Sequence, residues 1–435
     1  MIELIREIAG PGDLRALHRG NPSRYPFLLQ STTRGGELGR YDILFSAPGE
    51  VLVADENTRF LDELDARWLR ERTDATNSGL PFLGGWFLYL GYELAAEIEP
   101  ALDLAPDPLL PRAFAVRCRA ALIFDHEAQT CHLVTETPDA MDVDSLQAEI
   151  TELRSYHEEH ANRATQIPEE EADIFTDAVR RAREYIASGD VYQANLSRSW
   201  VTDGDFDAND IYASLCAANP GPFAGIARWG NIEVISSSPE RLVRVRDGHV
   251  STRPIAGTRP RSSDVQTDDS LSAELFTNAK ERAEHVMLID LERNDLGRIC
   301  EPGSVEVDEM MVLESYAHVH HIVSNVTGRI AAEVTPGQAI AAVFPGGTIT
   351  GCPKVRCMEI INELEQGPRG AYTGSFGYLN RDGSLDLNIL IRTIVRTDAA
   401  VTFRAGSGIV ADSDPEMELD ETRAKAEGML RAIMQ

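Results

Sequence analysis

No stretch of this sequence reaches 18 consecutive apolar residues, so no membrane-spanning helix is expected. No C-x-x-C pair occurs either. The six cysteines, Cys118, Cys131, Cys216, Cys300, Cys352 and Cys357, are scattered, as free thiols in a reducing cytosol would be. Positive charge is scarce: 41 Lys and Arg face 70 Asp and Glu, a formal net charge of −29. Such a surface repels nucleic acid and anionic lipid, which excludes both as expected partners. The start, MIELIREIAGPGDL, lacks a basic segment followed by an apolar one, so no secretory signal is expected and the predicted location is cytoplasmic. Internal repeats and low-complexity tracts are absent.

What is present is a chain of 435 residues, 43% hydrophobic and 26% charged, long enough for two domains or one composite core. Residues 1–136 read as strands and turns. Tyr41–Phe45 and Val51–Ala54 have strand length, and the aromatic run Gly84–Tyr92 reads as a buried strand followed by a helical ELAAEIE. Residues 137–171 change character: a charged helical pattern from Ser145 to His160, then the polar NRATQIPEEE, form a connection. Residues 172–435 open with an amphipathic helix, Asp173 to Ser188, with Asp173 or Thr176 near its N-cap and Gly189 at its end. Strands, helices and glycine turns alternate thereafter.

Two Glu-x-x-Glu sets stand out, Glu281/Glu284 and Glu418/Glu421. On a helix, i and i+3 share a face, so each set projects two carboxylates together. Hard cations such as Mg²⁺ take such oxygen ligands. A solvated acidic face explains the spacing equally well, since Glu149/Glu152 and Glu306/Glu309 repeat it. Glu240, in the turn Ser238-Pro-Glu240, can serve as a general acid if burial raises its pKa, or it is an ordinary turn carboxylate. Thr252–Arg261 carries three arginines that either clamp anions or form a basic loop. Phe344–Lys354 resembles a phosphate loop, but no Lys-Ser/Thr follows its last glycine, so a Walker motif is rejected. Pro353 suits helix position N1, and the N–H groups before it can hold a carboxylate. Ala405-Gly-Ser-Gly408 reads as a glycine turn whose N–H groups can meet an oxyanion, or as a simple hairpin turn. His318, His320 and His321 lack the further ligands a zinc site needs, so zinc is rejected.

Nine strings give these features a common order: DVYQANLS, SPERL, RPIAGTRPR, KERAEHVMLIDLERNDLGRI, HHIVS, GGTITGCPKVRCMEII, IRT, AGSGIVADSDPE and DETRAKA. Together they resemble the chorismate-binding family, which includes anthranilate, aminodeoxychorismate, isochorismate and salicylate synthases; the resemblance covers roughly residues 173–435. It implies an α+β fold, with two central β-sheets packed together, helices outside, and the N-terminal strands joining the same body. It implies that Glu284 and Glu421 bind magnesium with Glu281 and Glu418 in support, and that the ion holds the ring carboxylate of chorismate. It implies that Glu240 is the general acid for the departing C4 hydroxyl. Thr258 and His321 would stand near the reacting ring, with Lys354 in the same site. Tyr372, Arg392 and the backbone at Gly406 and Gly408 would receive the enolpyruvyl carboxylate.

Two positions divide the family's activities. Gln193 stands where water-using members place a lysine base, so the resemblance implies ammonia as the nucleophile. Ala256, followed by Gly257, stands where many aminodeoxychorismate synthases carry a covalent lysine, and anthranilate synthases carry alanine as here. GGWFLYLGYEL, NPGPFAG and FPGGTITG resemble the aminodeoxychorismate branch, and on balance component I of that enzyme is the expected function, with anthranilate synthase component I as the alternative. A non-catalytic relative that holds chorismate or tryptophan is the third reading. No cysteine sits in a glycine-flanked nucleophile turn, so a separate glutamine amidotransferase subunit is the expected ammonia source. Phe27–Ser31 resembles the segment lining the family's tryptophan pocket, through Leu29 and Ser31. Gln30 replaces the usual glutamate there, and a plain core strand explains the same residues.

Overall fold

The computed structural model describes residues 4–8, 10, 13–33, 37–55, 59–75, 78–153, 164, 166–262, 264–315 and 319–434. Its backbone is organised by two 13-residue strands, Tyr41–Val53 and Ala113–Asp125, paired antiparallel from Tyr41 opposite Asp125 to Val53 opposite Phe114. The two short strands expected around residues 41–54 are thus one. The SAPGE between them is absorbed by a bulge at Pro48/Val51, with Ala47 at φ +50°; a bulge adds a residue without ending the ladder.

Ala113–Asp125 is also where the sheet forks. Its first half pairs with Gly85–Leu90 and its second half with Thr130–Thr135. One arm runs from Tyr41–Val53 through Phe27–Gln30, Phe223–Trp229, Ile232–Ser238, Thr393–Arg396 and Ala400–Ile409 to Gln193–Asp203. The other runs from Gly85–Leu90 through Ser375–Asn380, Leu385–Asn388 and Arg241–Arg246 to His249–Thr252, Val319–Arg329 and Glu306–Ser315. The arms face each other through aromatic side chains. Phe27 stacks on Phe87 at 4.0 Å between centroids, Phe45 meets Phe87 at 5.5 Å, and Ile43, Val234 and Leu390 fill in around them. Ring pairs of this kind add about 0.5–1.5 kcal/mol each beyond their burial.

Helices cover the outer faces. Ile211 and Leu215 of Ala208–Ala218 and Met429 and Ile433 of Pro415–Met434 pack on Trp200 and Phe403. Leu61 and Leu64 of Phe60–Glu71, Ile289 and Leu296 of Ala279–Gly297, and Ile340 of Pro336–Val343 pack on Leu88, Val243 and Leu387. This is the expected α+β arrangement of two packed sheets with helices outside. Strands from residues 1–136 pair with strands from residues 172–435 at two places, so the two regions share their sheets.

Local differences have local causes. Gly85–Leu90 is the buried strand expected, and a 3₁₀ turn, Tyr92–Leu94, precedes the short helix Ala95–Ile98. The connecting helix spans Val143–Leu153; its expected continuation to His160 lies outside the described residues, as does His318. Helix Ala172–Ser188 ends at Gly189 with φ +84°, as expected, but Glu171 is its N-cap and caps only through its backbone. Pro353 is an N-cap, with the helix starting at Lys354. Among the described residues no helix is long and apolar enough to cross a membrane.

Candidate active site

Glu240 lies between strands Ile232–Ser238 and Arg241–Arg246, 5% exposed. Ser238 fixes the turn: its Oγ donates to the Ile389 carbonyl at 2.5 Å and accepts from the Glu240 N–H at 3.2 Å. Thr348 Oγ1 donates to Glu240 Oε1 at 2.8 Å, and the Ile255 N–H donates to the same carboxyl. Burial pushes the carboxyl up to about 8, and the nearby Glu292 carboxylate adds to the rise against the pull of Thr348, Ile255 and Arg392. Glu240 is therefore protonated at neutral pH, as a general acid must be.

Next to Ile255, Ala256 pairs with Ile322 and Thr258 with His321. Gly257, at φ +68°, is the bulge between them, and a Cβ there would stand 2.7 Å from Glu281 Oε2. This backbone brings Glu281, Ala256 and His321 to one end of the strand pair. His321 is 2% exposed, and burial holds its imidazole down at about 4, with Arg392 adding to the fall and a hydrogen bond to Gly257 opposing it. It is a neutral ring at pH 7. Arg392 sits at φ +51°, and burial lowers the pKa of its guanidinium while the Glu240 carboxyl raises it. Among the described residues that guanidinium has no hydrogen-bond or ion-pair partner.

A second group gathers on strand Ala400–Ile409. Sequence reading placed a turn at Ala405–Gly408; these residues instead continue the strand, opposite Asn195–Arg198. The glycines are there because of what lies over them. A Cβ on Gly408 would be 2.6 Å from Gln193 Nε2, and one on Gly406 2.6 Å from the Tyr372 hydroxyl. Gln193 Oε1 and Asn195 Oδ1 are buried acceptors without a partner among the described residues. Burial lifts the Tyr372 phenol to about 12, so it stays a donor. Segment Gly347–Cys352 joins the two groups: Thr348 holds Glu240, while Gly351 and Cys352 pair with Ala194 and Gln193.

The four carboxylates expected to serve magnesium all offer oxygen, the donor a hard cation takes. Each of three has a partner now: Glu281 pairs with Arg259 at 3.1 Å, Glu421 with Lys425 at 2.7 Å, and Glu418 accepts from Ser407 Oγ. Glu284 also has an interaction partner. Among the described residues no group of three or more His, Cys, Asp or Glu stands close enough to hold a metal. The donor type is the one Mg²⁺ takes, but the four carboxylates are engaged with protein partners and are not gathered into a metal-holding group here.

Other expectations change. The three arginines of Thr252–Arg261 are not a free anion clamp: Arg253 pairs with Glu309 and Glu314, Arg259 with Glu274 and Glu281, and Arg261 with Asp268. Lys354 is tied to Asp295 at 2.5 Å and to the Val343 carbonyl at 3.1 Å, so its charge is spent on a buried acid. The side chain of Thr258 lies outside the described residues. Leu29 and Gln30 line a cavity of about 970 Å³ with Tyr41, Phe223 and Tyr378, whereas Ser31 is not in its wall and donates to the Thr33 carbonyl. This cavity, though large, is lined by none of the catalytic candidates Glu240, Thr258, His321 and Lys354. Sequence reading missed Lys425, whose Nζ donates to the Gly406 carbonyl at 3.0 Å, and Glu292, a buried acid next to the Gly347 N–H beside Thr348.

The profile of the family described as "chorismate binding enzyme" matches residues 24–431. The chain belongs to the chorismate-binding enzyme family. Anthranilate synthase component I-like protein of Synechocystis sp. is 43% identical over 360 residues, 81% of this chain and 73% of that protein. Aminodeoxychorismate synthase of Streptomyces griseus is 35% identical over 442 residues, 94% of this chain and 61% of that protein. The crystal structure of anthranilate synthase component I from Streptococcus pneumoniae superposes with a TM-score of 0.81 at 31% identity, covering 91% of this chain and 93% of that one. As a chorismate-binding enzyme, the chain takes a small dianion into a strongly acidic protein. Arg392, whose guanidinium has no hydrogen-bond or ion-pair partner among the described residues, is a cation available to such a ligand.

Proposed function

We propose that this chain aminates chorismate with ammonia to 4-amino-4-deoxychorismate, as component I of an aminodeoxychorismate synthase. The observation that carries amination is Gln193. Its buried Oε1 lacks a donor, and an amide cannot deprotonate water. Ammonia needs no base to be a nucleophile, and one of its N–H groups can meet this acceptor. In the reaction Glu240 gives its proton to the C4 hydroxyl, the C–O bond breaks, water leaves, and a C–N bond forms to ammonia. The nitrogen then sheds a proton, which restores Glu240. Arg392 and Tyr372 hold the enolpyruvyl carboxylate, and neutral His321 stands by the ring. Bound by Glu284 and Glu421, Mg²⁺ would neutralise the ring carboxylate.

The thiols support an outside ammonia source. A glutaminase nucleophile needs a lowered thiol pKa. Here burial lifts Cys118, Cys131, Cys216 and Cys357 to about 12 and Cys300 to about 11, and raises Cys352. The purified chain is expected to use ammonium but not glutamine until an amidotransferase subunit is added. Glutamine turnover by the chain alone would sink that expectation.

Alanine at 256 favours a second reading, anthranilate synthase component I, and several relatives carry that name. One incubation with chorismate, Mg²⁺ and ammonium separates them. 4-Aminobenzoate that appears only after a lyase is added supports the first reading; anthranilate fluorescence overturns it in favour of the second. Ala256 is 9% exposed beside the peptide that binds Glu240. Ala256→Lys is expected to form an adduct with chorismate, visible as a mass increase. A folded variant that forms none would show that residue 256 does not face the ring.

A further inference from the structure

One buried acid has no role in the reaction above and holds part of its machinery. Glu93, 2% exposed, lies in the 3₁₀ turn Tyr92–Leu94, at the end of a strand from the N-terminal region. Its Oε1 accepts from the Arg369 N–H at 2.8 Å and the Gly370 N–H at 3.1 Å. In return the Tyr92 N–H donates to the Gly370 carbonyl at 2.9 Å. Gly370 is left-handed at φ +58°, and Asp107 fills the place a Cβ would take. The Arg369 guanidinium lies 4.8 Å from the Tyr92 ring centre and 5.6 Å from that of Tyr372. It also pairs with Glu365 at 2.5 Å and donates to the carbonyls of Asn195 at 2.7 Å and Ile349 at 3.2 Å. The turn that presents Tyr372 is thus clipped on one side by residues 92 and 93 and tied on the other to strand Gln193–Asp203 and to segment Gly347–Cys352.

A carboxyl that accepts only neutral N–H groups in the interior is costly to keep. Burial pushes it up to about 7 while the Arg369 and Gly370 N–H groups pull it down. A plain core residue would be cheaper if the turn needed only filling. We infer that Glu93 is a positioning residue, which fixes the Arg369–Tyr372 turn so that the Tyr372 hydroxyl stands over Gly406. Its consequence for substrate rests on the reading of Tyr372 and Gly406 as the enolpyruvyl carboxylate pocket.

Glu93→Ala is expected to raise KM for chorismate about tenfold while kcat stays within about twofold, the signature of lost binding without lost chemistry. Glu93→Gln keeps an acceptor oxygen at the same reach, and is expected to restore KM to within about threefold. Glu93→Asp, one methylene short, leaves the N–H groups unmet and substitutes for the alanine variant should that fail to fold. In a Tyr372→Phe background the effect of Glu93→Asp should shrink below about twofold, because residues that act as a unit are not additive. Hydrogen exchange at residues 369–373 of the ligand-free chain reads the clip without turnover: Glu93→Asp should speed it there and leave the sheets unchanged. Unaltered exchange overturns the inference, whatever the reaction. So does a fall in kcat with KM unmoved, or an undiminished effect beside Tyr372→Phe. Faster exchange in a chain that does not turn over chorismate would keep the clip and overturn the proposed reaction.

Discussion

Glu240→Gln is expected to lower kcat for chorismate amination by about a thousandfold, the middle of the range for loss of a positioned acid. The amide keeps the acceptor that Thr348 and the Ile255 N–H bind, so geometry survives and only the transferable proton is lost. The wild-type rate should hold below pH 8 and decline as pH rises through about 8, where Glu240 ionises. Stability should also fall as pH rises, over a lower window. The native carboxyl keeps its proton up to about 8 and the unfolded one loses it near 4.5. Between those values the native state binds more protons, so wild-type stability falls as pH rises across the window. Glutamine has no charge to bury. The variant should melt at the wild-type temperature near pH 4 and roughly 2–5 °C higher at pH 9. More than a tenth of wild-type activity, or a lower melting temperature at pH 9, would remove Glu240 from the role of acid.

Much of this site was legible in the sequence because its local signals and tertiary roles agree. Gly189 had to be left-handed to end a helix, and Ser238-Pro-Glu240 had to be a turn after a strand. Agreement fails where a signal has two physical causes. Gly406 and Gly408 read as a turn, since glycine permits one, yet they lie in a strand because Tyr372 and Gln193 cover them. Arg253, Arg259 and Arg261 read as free cations because their acidic partners come from other elements, more than fifty residues along the chain for Arg253. Lys354 and Asp295, 59 residues apart, meet for the same reason. Glu93 and Glu292 were invisible: nothing in a sequence separates a buried, hydrogen-bonded glutamate from a solvated one. The Glu-x-x-Glu spacing has the same ambiguity, and only the order of the family's motifs, not the spacing, points to a metal.

Arg392→Gly is expected to produce a chain that is more stable and nearly unable to bind chorismate. Arg392 bears two costs in the ligand-free protein. At φ +51° its backbone lies in the left-handed region, which costs a side-chain-bearing residue about 1–2 kcal/mol. Its guanidinium, with no partner among the described residues, is held where burial disfavours its charge. The peptide itself is needed there, since the Arg392 carbonyl accepts from the Ser237 N–H at 3.1 Å, at the end of the strand that leads to Glu240. Glycine keeps that peptide and removes both costs, so the ligand-free melting temperature should rise by roughly 3–6 °C. The guanidinium is the group that would meet a carboxylate with two parallel hydrogen bonds, and its loss should raise KM for chorismate about a hundredfold. Arg392→Lys keeps the charge and the strain but not the fork; it should raise KM about tenfold and leave the melting temperature unchanged within about 1 °C. Chorismate at saturating concentration should raise the melting temperature of the wild type and not of Arg392→Gly. A glycine variant that melts lower than wild type, or that chorismate still stabilises, would show that the strained arginine is held for packing and not for the substrate.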